Sequence, residues 1–427
     1  MPIGLAAGVA GAAGEEPPVE KPRPYIGGQA VLEGVMMRAP SSLAIVVRRR
    51  DGSLHIRERA MQSEAVGARK IPFVRGAISL VDALKLGQEA LRFSAEQMEK
   101  DLEAEEREEA ARKRAPKGPA AMGILSVATT AVTRAAIALG LGLFQVVTTD
   151  GAPVPSVPPP SATPPSAPPP SGRPSSAPHP AGATTKKPSG GGMWFSVLLM
   201  VGFMWALPQA SAAGLNRLLH LDLEVQSAPF QAITGFFKLA LVVGYLLAIR
   251  RMGPIRRVFQ YHGAEHKTIS TYEAKEELTV ANARAKTTLH PRCGTTFLVM
   301  VAIVSILVFT AVGGVLPRIH TGQAVLDNLV FFLVKIPFIP VIAAATFEIQ
   351  RVFARHCTTG PLRALLWPGF LVQKITTIEP DDDQLEVALG SLRATLFREG
   401  GETSTSHGDV RFATYVDLSR ADRLRKA

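Results

Sequence analysis

The chain has 427 residues, a net charge of +11 and a mean hydropathy of +0.16, with 47% apolar and 19% charged residues. The charge is segregated into Arg-rich clusters beside long uncharged runs. That pattern points to anionic lipid rather than nucleic acid, because no aromatic-interleaved basic motif is present. Two cysteines, Cys293 and Cys357, exclude a disulfide framework.

Residues 1–24, rich in Ala, Gly, Pro and Glu and lacking a charged n-region, read as a disordered tail rather than a cleaved signal. Residues 25–120 read as a cytoplasmic unit. Within it, Asp51-Gly52 between β-branched runs predicts a hairpin over 43–60 with arginines on its exposed face. Ala77, Leu80, Val81, Leu84 and Leu91 then fall near helical spacing. They mark an amphipathic helix lying on the membrane surface or packed on its own domain, followed by a charged helix. Residues 121–150 hold a weak apolar or interfacial helix, since Arg134 inside a full crossing would cost roughly 2.5–3.5 kcal/mol. Residues 151–192 are a Pro-rich linker that cannot build a core.

A membrane region is expected over 193–347, with spans at 194–213, 229–249, 297–316 and 326–347. Lys238 and Lys335 lie inside spans and should face protein or water. Arg250, Arg251, Arg256 and Arg257 follow the second span and Arg351, Arg355 and Arg363 follow the fourth, whereas each intervening short loop carries one Arg. The loop 250–296, the C-terminal region 348–427 and the N-terminal region are therefore expected in the cytoplasm of a bacterial cell, against the inner membrane. Both cysteines should then be free thiols. Residues 367–378 read as a short strand, and Glu379-Pro380-Asp381 as the start of a helix. The expected fold is an α-helical integral membrane protein of about four spans with a small α+β cytoplasmic portion.

The loop 250–296 carries the densest chemistry. His262, Glu265 and His266 form H-x-x-E-H, which on a helix puts both imidazoles on one face, as for one divalent metal ion such as zinc. Glu265 is then a candidate general base on water activated by the metal. His290 and Cys293 are candidate further ligands, with Glu273 a weaker one. Cys293, near a helix start and flanked by Arg292, is alternatively a nucleophile paired with His290 or a small boundary residue. Glu33, among Gly27, Gly28 and Gly34, either completes the site, acts as a base, or is a surface carboxylate on a tight strand turn. The bland alternative for the histidines is polar packing at an interface helix.

GGQAVLEGVMMR, RRVFQYHGAEHKTI, HPRCGTTF and QKITTIEPDDDQLEVAL together resemble the YqhQ-like family of bacterial membrane proteins, over about residues 25–95 and 194–395. The Pro-rich stretch and residues 121–148 look like an insertion. The resemblance implies a metal-dependent enzyme, names no substrate, and carries metal ligation onto His262, Glu265 and His266, with His290 and Cys293 as second choices. The leading expectation is a membrane-bound hydrolase acting on a lipid, a peptide or a membrane-associated metabolite. A non-enzymatic scaffold or assembly factor is the alternative, and a small transporter using Lys238 and Lys335 the third.

Overall fold

The computed structural model describes residues 23–61, 74–114, 202–357, 360–400 and 409–421. The tail before Arg23, the weak helix of 121–150 and the linker 151–192 lie outside them.

Five antiparallel strands make one meander in the order β1-β2-β3-β4-β5: β1 Gly27–Val31, β2 Gly34–Arg38, β3 Ser42–Arg48, β4 Leu54–Ala60 and β5 Val410–Phe412. The Asp51-Gly52 turn forms as expected. Gly52 takes φ +82°, and the Asp51 carboxylate accepts from the Ser53 amide at 2.9 Å and its hydroxyl at 2.6 Å. The expected arginine face is only partly open, because helices cover both sides of the sheet: Arg57 lies over the Phe93 ring and pairs with Asp409, and Arg59 pairs with Glu89 at the exposed end of β4. Val31, Met36, Leu43, Ile45 and Val47 pack on Leu86, Ala90 and Phe93 of α1, Val74–Arg114. Between them, Ala30, Val35, Met37, Ala44 and Val46 face the main core. The other arginines gather at the turn end, where Arg48 pairs with Asp383 and Glu386, Arg49 with Asp101, and Arg50 with Glu105.

The amphipathic and charged stretches are one helix, α1, and its apolar stripe packs on its own domain. Its first turn also touches the membrane region, since Gly76 sits where a Cβ would meet the Phe347 ring at 3.1 Å.

Among the described residues, three segments are long and apolar enough to cross a membrane: α3 (Ala228–Ile249), α6 (Thr295–Val315) and the run Val325–Phe353. The last comprises α7 (Ala324–Lys335), a 3-10 turn (Ile336–Phe338) and α8 (Ile339–His356), the break falling where Pro337 and Pro340 remove helical donors. The first expected span, 194–213, is described only from Gly202, as a short π-helical turn running into α2, Leu207–Leu218. Phe236, Leu307, Leu329 and Val341 stand exposed on these helices, as side chains facing lipid would.

Between α3 and α6 runs α4 (Gly253–Glu273), followed by the short α5 (Val280–Arg284). After α8, a 3-10 turn (Pro361–Leu366) leads into α9 (Trp367–Thr376), then α10 (Asp382–Glu399) and α11 (Tyr415–Arg420). The strand expected over 367–378 is therefore a helix through Thr376. Gly369 lies against Thr296, a Cβ there meeting its Cγ2 at 2.6 Å, and this close seat on α6 overrides the β-branched pattern. Asp381 caps α10 in a capping box with Gln384, as the acidic start implied. One apolar core joins the sheet, α4 and α10 to Val242, Leu246 and Val299 at the near ends of α3 and α6. That continuity fixes the polar unit on the apolar helices, and α4 stands at its centre.

Candidate metal centre

The site begins with α4, whose stretch from Val258 to Tyr272 is buried on nearly every side. Its Gly263 lowers helix propensity but has a packing reason: a Cβ there would lie 2.2 Å from the Ile378 carbonyl oxygen. The chain leaving α9 thus runs against α4, with the Ile378 amide donating to the Phe259 carbonyl at 3.0 Å. That approach delivers the Thr376 carbonyl to His262.

His262 and His266 share a face, their ring centroids 4.5 Å apart. His262 Nδ1 lies 3.0 Å from the Thr376 carbonyl oxygen, and His266 Nδ1 lies 2.5 Å from that of Thr288. A carbonyl can only accept, so each ring carries its proton on Nδ1 and presents the Nε2 lone pair. Burial pushes the His262 pKa down to about 4 and, with the neighbouring His262 and His290, holds His266 well below its ordinary value. Both rings are neutral at pH 7.

The third donor arrives from the turn before α6. Cys293 Sγ lies 3.3 Å from His262 Nε2, and the Thr295 amide and hydroxyl approach the sulfur at 3.4 and 3.2 Å. His262, His266 and Cys293 are 4%, 1% and 3% exposed, and one donor atom from each lies within 4.8 Å of the others. Tetrahedral donors bonded at about 2.0–2.3 Å stand roughly 3.5 Å apart, so two imidazoles and a thiol in this array fit a zinc-like ion with little movement.

His290 lies just outside this group. Its ring centroid is 5.6 Å from that of His266, and its Nε2 faces Glu273 at 3.4 Å. Gln373 clamps the His290 backbone, accepting from its amide and donating to its carbonyl, each at 2.9 Å. Glu273 also pairs with Arg292, whose guanidinium lies 4.7 Å from the Tyr25 ring centroid. Arg292 is therefore turned to Glu273 and Tyr25. Glu265 is buried against β1, where a Cβ on Gly28 would meet its Cγ, Cδ and Oε1 at 2.8 Å. Glu33 is not in the donor group. Its carboxylate forms a bidentate pair with Arg257, both contacts 2.5 Å, and accepts from the Tyr261 hydroxyl at 3.3 Å. Sequence reasoning missed Gln373 and the Thr288 and Thr376 carbonyls. Only Gln373 left a signal, an amide directly after the apolar Phe370, Leu371 and Val372.

Residues 71–154 and 176–398 match the family described as a protein of unknown function, DUF1385. The chain belongs to this family. It is also 27% identical over 375 residues to the uncharacterised protein YqhQ of Bacillus subtilis (strain 168), covering 87% of this chain and 92% of the relative. No solved structure matches. The family match runs through residues 121–148, so of the stretch read as an insertion only 155–175 falls outside it.

Proposed function

We propose that this member of the family is a membrane-bound, metal-dependent hydrolase whose site lies at the cytoplasmic face of the inner membrane. The observation that carries this is the pair of imidazoles anchored through Nδ1 to backbone carbonyls, with His262 Nε2 3.3 Å from the Cys293 sulfur and a donor atom of each of the three residues within 4.8 Å of the others. Metal-binding histidines are held in this way, because the second hydrogen bond fixes both tautomer and ring direction. His262, His266 and Cys293 would hold the ion, with Glu265 the adjacent base. The metal would supply Lewis acidity toward a carbonyl or phosphoryl oxygen and toward water. Cys293 stands two residues before α6, so the site sits at the end of a membrane span and suits a lipid, a peptide or another membrane-associated substrate. Arg250, Arg251, Arg256 and Arg257 at the same end support a cytoplasmic orientation.

The burial of all three donors favours a second reading, a scaffold stabilised by a structural ion. Ligand count separates the two, because structural zinc sites use four protein ligands and catalytic sites keep one position open. X-ray absorption of the zinc-loaded full chain in detergent should give two nitrogens, one sulfur and one light oxygen scatterer. A closed set of three nitrogens and one sulfur, with His290 drawn in, would favour the scaffold.

A further inference from the structure

An open hollow of about 500 Å³ lies along the 3-10 turn and α9. Leu289, Trp367, Phe370 and Leu371 give it apolar walls, and Arg363 and Lys374 stand in its lining. His262, His266 and Cys293 do not line it, so its role is independent of the metal reading.

The level of the hollow is fixed from three sides. Gly369 of α9 lies against Thr296, at the start of α6. The Arg250 guanidinium, directly after α3, donates to the Lys374 carbonyl at 2.7 Å and to that of Ile375 at 3.1 Å. Phe353, which ends the apolar run from Val325, packs with Leu289 on the buried cluster of Cys357, Leu366 and Phe370. The hollow thus opens where three long apolar segments end on one side. A bilayer crossed by those segments would have its headgroups at this depth. The hollow also keeps carbon open that water disfavours, Trp367 being 60% and Leu371 49% exposed.

Charge then selects the headgroup. The Arg363 guanidinium lies 5.5 Å from the Phe370 ring centroid, over the apolar wall. Among the described residues, neither Arg363 nor Lys374 forms an ion pair, and no Asp or Glu lines the hollow. A zwitterionic headgroup would bring a cation of its own, for which this lining offers no carboxylate. A headgroup whose net charge is that of its phosphate meets two cations and no opposing group.

We propose that this hollow seats one anionic phospholipid, its phosphate drawn to Arg363 and Lys374 and the start of a chain lying along Trp367 and Leu371. The seated lipid leans on the two segments whose Thr376 and Thr288 carbonyls orient His262 and His266.

The test follows Trp367 in the full chain carrying Trp194→Phe and Trp205→Phe, reconstituted in phosphatidylcholine vesicles. Phosphatidylglycerol brominated near the headgroup replaces the host lipid stepwise, and a parallel series uses phosphatidylcholine brominated at the same carbons. Quenching should saturate with the anionic lipid and reach half its maximum at a clearly lower mole fraction than with the zwitterionic one. Arg363→Gln and Lys374→Gln should each raise the half-saturating fraction of phosphatidylglycerol about 5-fold. Both side chains are exposed, so each variant should keep the parent melting temperature. Arg251→Gln, close by after α3 but outside the lining, should leave the half-saturating fraction unchanged. Soluble glycerol phosphate should not relieve the quenching, whereas unbrominated phosphatidylglycerol should. Equal quenching by the two brominated lipids, an unchanged half-saturation in both pocket variants, or relief by glycerol phosphate as strong as that by the lipid would each overturn the proposal.

Discussion

Gly263 and Gly28 shape the candidate site as much as its His and Cys side chains do, because each lets another group approach where a side chain would stand. At Gly263 the obstacle is the Ile378 backbone, and at Gly28 it is the Glu265 side chain. A backbone obstacle yields less. Gly263→Ala should therefore destabilise the chain by about 3 kcal/mol and Gly28→Ala by about 1–2 kcal/mol. Gly214→Ala, exposed with nothing within 4 Å, should be neutral or slightly stabilising. Thermal melts of the three variants rank them, and equal losses at Gly263 and Gly214 would refute the packing role. The imidazoles add a pH dependence. A histidine whose folded pKa is depressed takes up protons more readily in the unfolded chain, so its stability contribution is complete above about pH 6.5 and is lost as pH falls toward 4. Chelator-treated protein should lose stability progressively between pH 7 and 5, by about 2 kcal/mol for His262. His262→Asn should flatten that slope, and an unchanged slope would mean His262 is not the titrating group.

At the scale of elements, sequence periodicity served where an element's own residues decide its form and failed where a distant partner does. Histidines four apart, a Cys returning before an apolar run, the Asp51-Gly52 turn and the acidic start of α10 are local signals, and the fold uses each. Strand β5 was hidden because it forms only by pairing with β4 from the other end of the chain. The helix α9 was hidden because Val372, Ile375 and Thr376 favour a strand until Gly369 seats the segment on α6. The carbonyls that orient the imidazoles were hidden because a backbone acceptor has no residue signature. The pairing of Glu33 was hidden for a similar reason, its partner Arg257 lying on α4. The stretch Pro361–Thr376 makes its own expectation. Leu362, Leu365, Trp367 and Leu371 are exposed beside Arg363 and Lys374, a composition suited to the headgroup boundary. In a variant carrying Trp194→Phe and Trp205→Phe, the fluorescence of Trp367 should be quenched by lipids brominated near the headgroup and spared by those brominated at the chain ends. No quenching in either would place this segment away from the bilayer.

For the whole molecule, the pairing of β4 with β5 puts residues 23–61 and 409–421 in one layer, and the shared core adds α4 and α10 to it. The N-terminal sheet, the 250–294 loop and the C-terminal helices thus stand on one side of the membrane helices. Reporter fusions at residues 20, 275 and 420 should all register cytoplasmic, and a periplasmic signal at 275 would reverse the orientation. The centre of the account is the proposed metal site on this side, where α4, the turn before α6 and the chain after α9 converge. Equilibrium dialysis of the detergent-purified chain against zinc, followed by elemental analysis, tests it most directly. The unaltered protein should retain about one ion per chain, and His262→Ala, His266→Ala and Cys293→Ser should each lose it while still inserting into membranes. An unaltered protein that retains no zinc, or the three variants retaining as much as it does, would contradict the site.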